Sequence, residues 1–181
     1  LAVLLLAVFA TLNLQRSLVV NNGGGNCVGA IASQVGSLAW GDASCAGVPT
    51  GDPRLGALQD NGGPTPTMLP GAGSAALDAV ACDANVPADE RGIARPQGGA
   101  CDVGAAESRQ FALVVNVSGP GSVASATSAV APSSGIVLCT QSGGTCQAAF
   151  VEQADVLLNA VVPNGYHMTW SGDCTGTASS V

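Results

Sequence analysis

The apolar and polar residues of positions 11–22 alternate in two short runs, and this pattern predicts the first structural unit of the chain. Leu12 and Leu14 lie on one side of the first run, and Leu18 and Val20 lie on one side of the second. Alternation with a period of two is typical of a half-buried β-strand. Two short strands separated by a bend and closed by an Asn/Gly-rich turn are typical of one coil of a parallel β-solenoid. We therefore predict one or two solenoid coils here, although the sequence contains no clear internal repeat.

The first ten residues, LAVLLLAVFA, form an uninterrupted apolar run. The run is too short to span a bilayer. Two interpretations stay open. It is a buried strand leading into the next segment, or it is the apolar part of a signal sequence, with Val8 and Ala10 at acceptable cleavage offsets but no basic region before it. Because the chain begins with Leu1 and not with methionine, we expect further solenoid coils upstream.

Residues 52–107 follow neither the helical nor the strand period. Gly and Pro recur every few residues, after a loop-rich connection over 23–51. The stretch 60–64, Asp-Asn-Gly-Gly-Pro, is a dense turn signal, because Asn and Gly tolerate positive φ and Pro fixes the exit. Residues 75–78 predict a short buried strand. We expect segment 52–107 to be a compact, turn-rich cap on the open end of the β-structure formed by residues 1–51.

Residues 108–181 change character and predict a separate antiparallel unit. Short alternating runs are separated by Gly- and Pro-containing turns, which is typical of β-hairpins. We predict a small meander of three hairpins, in which each strand pairs with the next one along the chain. The predicted strand pairs are 111–117 with 122–127, 135–139 with 145–151, and 155–162 with 166–170.

Seven cysteines occur in this short chain, and six of them fall in order as local pairs. No CxxC motif or Cys/His cluster is present, and His167 is the only histidine, so a zinc site is not predicted. Local pairs in an acidic, Gly-rich chain favour disulfides and an oxidising compartment. The alternative is a cytosolic protein with reduced, buried thiols. Cys174 is left over, which indicates that the chain is truncated or that the partner cysteine was lost. The expected disulfides are Cys27–Cys45, Cys82–Cys101 and Cys139–Cys146.

The charge balance excludes two classes of partner. The 181-residue chain has a net charge of −7, and all five of its basic residues are arginine. A chain without a basic patch has no electrostatic means of binding nucleic acid or an anionic membrane surface. Apolar residues make up 47% of the chain, which argues against disorder. We predict a folded chain that has no membrane span and does not bind nucleic acid.

Candidate chemistry is concentrated in the cap. Asp89, Glu90 and Asp102 could serve as the paired general acid and base of a carbohydrate-cleaving enzyme. Arg91 and Arg95 are close to them in sequence, however, and a buried Asp–Arg bracket explains all five residues without catalysis. We favour the structural interpretation and predict no catalytic residue in this chain.

Two further residues are assigned structural roles. Asp78 follows a short apolar stretch and is expected to accept hydrogen bonds from backbone N–H groups rather than to bind an ion. Trp170 could stack on a sugar, but we expect it to pack against the turn that carries Cys174. No cofactor or metal is predicted, because a calcium loop would require a DxDxDG spacing that the chain lacks.

The cap resembles the conserved C-terminal region of bacterial surface proteins called choice-of-anchor Q domain proteins. The order and spacing of the matching residues extend across segment 52–107, with mild departures at Met68, Val80 and Ala106. The matching pieces are Asp52-Pro53-x-Leu55-Gly56-x-Leu58, Asp60-Asn61-Gly62-Gly63-Pro64-Thr65-x-Thr67, Leu69-Pro70-Gly71, Leu77-Asp78-Ala79, Arg91-Gly92-x-Ala94-Arg95-Pro96 and Cys101-Asp102-x-Gly104-Ala105-x-Glu107.

Residues 108–181 resemble a second bacterial surface module, the divergent InlB B-repeat type. The most distinctive feature is the box Trp170-Ser171-Gly172-Asp173-Cys174-Thr175-Gly176. Val115-x-Val117-x-Gly119-x-Gly121-x-Val123 and the Cys139…Cys146 pair also match. In that family a second cysteine and a further strand follow the box, so the resemblance implies that this module is truncated.

The two resemblances imply a fold and a function. The fold is all-β: the end of a right-handed parallel β-helix (1–51), its loop-rich cap (52–107) and a small antiparallel module (108–181). The function is structural or adhesive, in a secreted or cell-surface bacterial protein, with surface glycans or host and matrix proteins as partners. Two alternatives stay open. The chain is the C-terminal part of a pectate-lyase-like enzyme whose groove lies upstream, or residues 108–181 are a carbohydrate-binding module.

Overall fold

The computed structural model describes residues 12–126, 136 and 138–181. These residues form ten β-strands and no helix, which confirms the all-β prediction. The prediction for residues 1–10 lies outside the described residues, as do Thr127 and residue positions 135 and 137 of the predicted hairpins. The strands are β1 Leu12–Gln15, β2 Leu18–Val20, β3 Ile31–Val35, β4 Leu38–Trp40, β5 Gln110–Val114, β6 Ser122–Ala126, β7 Cys139–Thr140, β8 Gly143–Gly144, β9 Gln147–Val151 and β10 Leu157–Val161.

The first four strands form two stacked units with parallel pairing. β1 pairs with β3 and β2 pairs with β4, with Leu18 opposite Leu38. Each unit bends between its two strands at a residue with positive φ, Arg16 in the first and Gly36 in the second. The Arg16 N–H donates to the Val35 carbonyl, which joins the two bends. The strand–bend–strand unit predicted for residues 11–22 is therefore present, and a second unit stacks on it, with Ser37-Leu38 in the positions of Ser17-Leu18.

The free edge of β4 is covered by the chain that leads into the cap. Ala39 forms a parallel bridge with Thr50. The Ala39 N–H donates to the Pro49 carbonyl, and the Ala39 carbonyl accepts a hydrogen bond from the Gly51 N–H. One face of the stacked units packs on the disulfide loop that contains Cys45 and Val48. Covering an edge in this way removes unpaired N–H and C=O groups that would otherwise pair with another chain.

The other face of the stacked units packs against the cap. Leu18 and Leu38 contact Ala76 and Val103, which come from two separate parts of segment 52–107. Residues 75–78 form a turn rather than the predicted strand, because the Ser74 side chain and carbonyl accept the next backbone N–H groups. The stretch was also predicted to be buried, and Ala76 is fully buried.

The C-terminal module, residues 108–181, is built from two sheets, and the predicted meander is only partly correct. β6, β7 and β8 pair in sequence, as a meander requires. β5, however, pairs with β9, and β10 pairs with β6, so the predicted pairs 111–117 with 122–127 and 155–162 with 166–170 are wrong. The predicted pair 135–139 with 145–151 is wrong as well, because β7 turns back onto β8 at Gly143–Gly144 while β9 belongs to the other sheet. The strands pair in this way because both sheets contribute buried residues to one hydrophobic core. These residues are Val115, Val123, Ile136, Cys139, Ala148, Phe150 and Leu158.

The last residues of the chain extend the larger sheet of the module by pairing with β10. Leu158 and Val181 exchange two backbone hydrogen bonds, and Ser180 forms an antiparallel bridge with Asn159. Trp170 packs against the module core, and its indole N–H donates to the Ala178 carbonyl at 2.8 Å. In the part of the chain that the structure describes, we find no helix with the length and apolarity needed to cross a bilayer.

Candidate functional site: a buried acid–arginine cluster

Asp89 and Arg91 form the centre of a buried polar cluster in the cap. Their side chains are 0% and 1% exposed, and the Arg91 guanidinium lies 2.9 Å from Asp89 Oδ2. Both Asp89 oxygens also accept backbone N–H groups: Oδ1 from Arg91 and Ile93, and Oδ2 from Glu107. These bonds outweigh the cost of burial and hold the pKa of Asp89 below its usual value. Asp89 thereby ties a tight turn to the end of the cap.

Arg95 pairs with Glu107, a residue outside the predicted Asp–Arg bracket. Arg95 Nη1 lies 2.7 Å from Glu107 Oε2, and both side chains are buried. The contact of Arg95 with Asp102 is to the backbone carbonyl, at 3.0 Å. Glu107 also accepts the backbone N–H groups of Gln97 and Asp102. A single carboxylate therefore fixes three points of the cap.

Asp102 and Asp78 hold backbone groups without an arginine partner among the described residues. Asp102 accepts the N–H groups of Asp78 and Ser108, each at 2.8 Å. Asp78 accepts the N–H of Ala100 at 3.0 Å and the side-chain amide of Gln110. The hydrogen bonds expected for Asp78 are thus present. The bond from Gln110, the first residue of β5, joins the cap to the first strand of the C-terminal module.

Glu152 extends the cluster from the C-terminal module into the cap. It follows β9, and its Oε1 lies 3.3 Å from Arg91 Nη1. The same oxygen accepts the Arg109 backbone N–H, and the Glu152 N–H donates to the Arg109 carbonyl. Next to it, Gln153 hydrogen-bonds Asn61 of the cap, and Val151 packs with Leu77. We call the set Asp78, Asp89, Arg91, Arg95, Asp102, Glu107 and Glu152 the acid–arginine cluster.

Sequence reasoning missed Glu107 and Glu152 as members of this cluster. Glu107 is the last residue of the stretch whose resemblance to choice-of-anchor Q proteins was noted above, so its place in that pattern was an available signal. Glu152 had no signal, because it is an ordinary polar residue after a predicted strand. Only the pairing of β5 with β9 brings Glu152 next to Arg109 and then to Arg91.

Of the candidate carboxylates Asp89, Glu90 and Asp102, only Glu90 keeps an oxygen without a hydrogen-bond partner among the described residues, so they do not provide the two free carboxylates that a glycosidase needs. Both side-chain oxygens of Asp89, Asp102 and Glu107 accept hydrogen bonds from the protein itself. A general acid or base must instead reach the proton of a bound substrate. Among the described residues, no group of three or more His, Cys, Asp or Glu side chains is placed to hold a metal ion.

The three predicted disulfides are all present: Cys27–Cys45, Cys82–Cys101 and Cys139–Cys146. Cys174 is a free thiol, as expected for the odd cysteine. The Cys82–Cys101 bridge spans the part of the cap that contains Asp89, Arg91 and Arg95. Comparisons of the chain with protein-family models, curated proteins and solved structures found no match.

Two buried carboxylates of the cluster have opposite pKa shifts, and we expect a stability maximum at mildly acidic pH. Burial, and secondarily the nearby Glu107 and Asp78 carboxylates, raise the pKa of Asp102 to about 6. Its contribution to stability is fully present below the unfolded value of 3.8 and is lost as pH rises through 6. Asp89, with a lowered pKa, contributes stability above 3.8 that is lost as pH falls through its folded pKa.

Urea unfolding at neutral, mildly acidic and strongly acidic pH measures this effect. The Asp102 shift corresponds to at most about 3 kcal/mol between neutral and mildly acidic pH. The Asp102→Asn variant is the control, because it should lose the gain in stability on mild acidification whatever its absolute stability. A wild-type stability that falls steadily from neutral pH downwards would contradict the prediction.

Proposed function

We propose that this chain is a structural and adhesive segment of a secreted or cell-surface bacterial protein. In this proposal residues 12–51 are the last coils of a right-handed parallel β-helix, residues 52–107 close it, and residues 108–181 form an attached module. The single observation that carries the non-catalytic assignment is that Asp89, Asp102 and Glu107 all use both oxygens on the protein's own donors. In this proposal the three carboxylates stabilise the cap by hydrogen-bonding its loops to one another.

The β-helix assignment is supported by the stacking of the first four strands. Residues in equivalent positions, such as Leu18 and Leu38, pair in parallel across the two units. Both units bend at positive φ between their strands. Parallel stacking with repeated bends is typical of solenoids, in which each unit contacts only its neighbours. The resemblance of segment 52–107 to choice-of-anchor Q proteins agrees with a cap in this position.

A structural role is also supported by the rigid connection between the cap and the C-terminal module. Glu152 and Arg91 form a nearly buried ion pair across this junction, and Val151 and Leu77 pack beside it. A flexible linker would instead be exposed and poor in such contacts. The connection would present the module at a fixed angle from the cap, which is useful in a protein that spaces or displays a binding surface.

The extracellular assignment is supported by the three disulfides. Structural disulfides persist in oxidising environments and are rare in the cytosol. The alternative of a carbohydrate-binding module at residues 108–181 depended on Trp170 as a stacking platform. The Trp170 indole packs on the module core and donates its N–H internally, so no observation favours this alternative.

The function is tested by assaying the same purified chain for turnover and for attachment. Polygalacturonate and other acidic polysaccharides serve as substrates, with release of reducing ends or unsaturated products as the measurement. We expect no turnover above a heat-unfolded control. Beads coated with the chain should attach to surfaces carrying matrix proteins or glycans, while beads coated with the unfolded chain should not. Robust polysaccharide cleavage would reject the structural assignment, and absence of attachment would reject the adhesive one.

A further inference from the structure

A groove of about 440 Å³ lies between the stacked strands and the cap, and no member of the acid–arginine cluster lines it. Its walls are mainly apolar and include Leu18, Leu58, Pro66, Met68 and Val103. Leu58 is 66% exposed and Met68 is 42% exposed, which is unusual for large apolar side chains beside one another. Exposed apolar residues that gather around a concave surface are typical of an interaction site.

The groove contains one carboxylate, that of Glu90, and only one of its two oxygens accepts a hydrogen bond from the described residues. Glu90 Oε2 accepts the Thr65 hydroxyl at 3.0 Å, and the Glu90 backbone is fixed by its bond to the Ala105 carbonyl. Glu90 Oε1 is buried and has no hydrogen-bond partner among the described residues. Arg91, its neighbour in sequence, points into the acid–arginine cluster instead.

The arginine side chains of this protein bond to groups other than the Glu90 carboxylate. Those that form ion pairs within the described residues do so with Asp83, Asp89, Glu107 and Glu152, and none pairs with Glu90. The chain contains no lysine. A buried carboxylate oxygen without a donor is costly, and a cationic donor from outside would remove that cost. The net charge of −7 favours the approach of a cation and opposes that of an anion.

We propose that this groove binds a lysine or arginine side chain of a partner polypeptide. Because Glu90 Oε1 is buried in the unbound chain, the carboxylate turns towards the groove on binding. The cationic head group then donates to it, and the aliphatic stem and a neighbouring apolar residue pack on Leu58 and Met68. Charge-assisted hydrogen bonds supply specificity, and the apolar walls bury the stem, as long basic side chains commonly allow. This inference rests on the proposed function, because an attachment protein needs a recognition surface, and it names the chemistry of that surface.

Two-dimensional NMR titration of the whole chain tests this inference. The probe is the capped tripeptide acetyl-Leu-Arg-Leu-amide, and the matched control replaces Arg with the neutral isostere citrulline. We expect the Arg peptide to shift the amide signals of Leu58, Thr65 and Glu90. We expect the citrulline peptide to bind at least about 10-fold more weakly, because it loses the charge-assisted bond. A Leu-Glu-Leu peptide should not bind.

Two groove variants and one control variant complete the test. Glu90→Gln should weaken binding of the Arg peptide by at least about 10-fold, and Leu58→Ser, at an exposed position, by several-fold. Asp173→Asn removes an exposed carboxylate outside the groove and should bind like the wild type. Equal binding of the Arg and citrulline peptides, equal binding by Glu90→Gln, or no signal shift up to about 5 mM peptide would each overturn the inference. None of these outcomes bears on the turnover assay or on attachment through another surface, so the two proposals fail separately.

Discussion

Replacing Arg91 with methionine is expected to destabilise the protein strongly. Methionine keeps an unbranched side chain but removes the positive charge between Asp89 and Glu152. The bond from Arg91 to the Glu107 carbonyl is lost as well. Removing one partner of a buried ion pair leaves an unpaired charge and typically costs about 3–5 kcal/mol. We expect a fall of this size in the free energy of unfolding, measured by urea denaturation at neutral pH.

Arg54→Met is the matched control for this prediction. Arg54 is an exposed arginine of the same cap, and its guanidinium donates to the Ala72 carbonyl rather than to a carboxylate. Its replacement should cost less than about 1 kcal/mol, as is usual for surface polar contacts. Should Arg91→Met be too unstable to purify, Arg91→Lys keeps the charge but loses the forked hydrogen bonds and should give an intermediate loss. Equal stability of the Arg91→Met and Arg54→Met variants would contradict the prediction.

The local elements of the fold were predictable because their signals are local. The strand alternation around Leu12 and Leu18 depends only on neighbouring residues, and it predicted β1 and β2. The disulfides were predictable because each pair closes a short loop. Cys139 and Cys146, for example, are only 7 residues apart. Short loops have a low entropic cost of closure, so pairing by sequence order is a sound default.

The pairing of the C-terminal strands was not predictable from the same kind of signal. A turn such as Pro163-Asn164-Gly165 reverses the chain, and the Tyr166 N–H does bond the Pro163 carbonyl. A reversal does not decide which strand becomes the neighbour of β10. That choice depends on burying Phe150 and Leu158 in one core, which requires two facing sheets. The information is distributed over residues far apart in sequence.

The candidate site, like the fold, was predictable only where the interacting residues are determined by local sequence. The proximity of Asp89 and Arg91 in sequence was enough to predict a bracket, since a tight turn brings residues i and i+2 together. The partner of Arg95 was not decided by proximity, because Asp102 and Glu107 are both close in sequence. The backbone aims the carboxylate of Glu107 inwards, and the Asp102 N–H donates to it. Selecting between two nearby carboxylates thus required the folded backbone.

Removing the Cys82–Cys101 disulfide is expected to lower the free energy of unfolding by about 3 kcal/mol and to loosen the acid–arginine cluster. The bridge spans a separation of 19 residues, and the loop that it closes contains Asp89, Arg91 and Arg95. Without it, the entropy of the unfolded loop rises. The Cys82→Ala/Cys101→Ala double variant should be compared with Cys139→Ala/Cys146→Ala, both in a Cys174→Ser background that prevents thiol exchange.

The distinguishing measurement is amide hydrogen exchange. The N–H groups of Ile93 and Glu107 are bonded to Asp89, so they report on the cluster directly. We expect these two amides to exchange faster in the Cys82→Ala/Cys101→Ala variant, because opening of the cap becomes less costly, and to remain protected in the Cys139→Ala/Cys146→Ala variant. Non-reducing mass spectrometry of the wild type should recover a peptide that links Cys82 to Cys101. Free thiols at these two positions, or unchanged exchange of Ile93 and Glu107 in the first variant, would show that the bridge does not hold the cluster together.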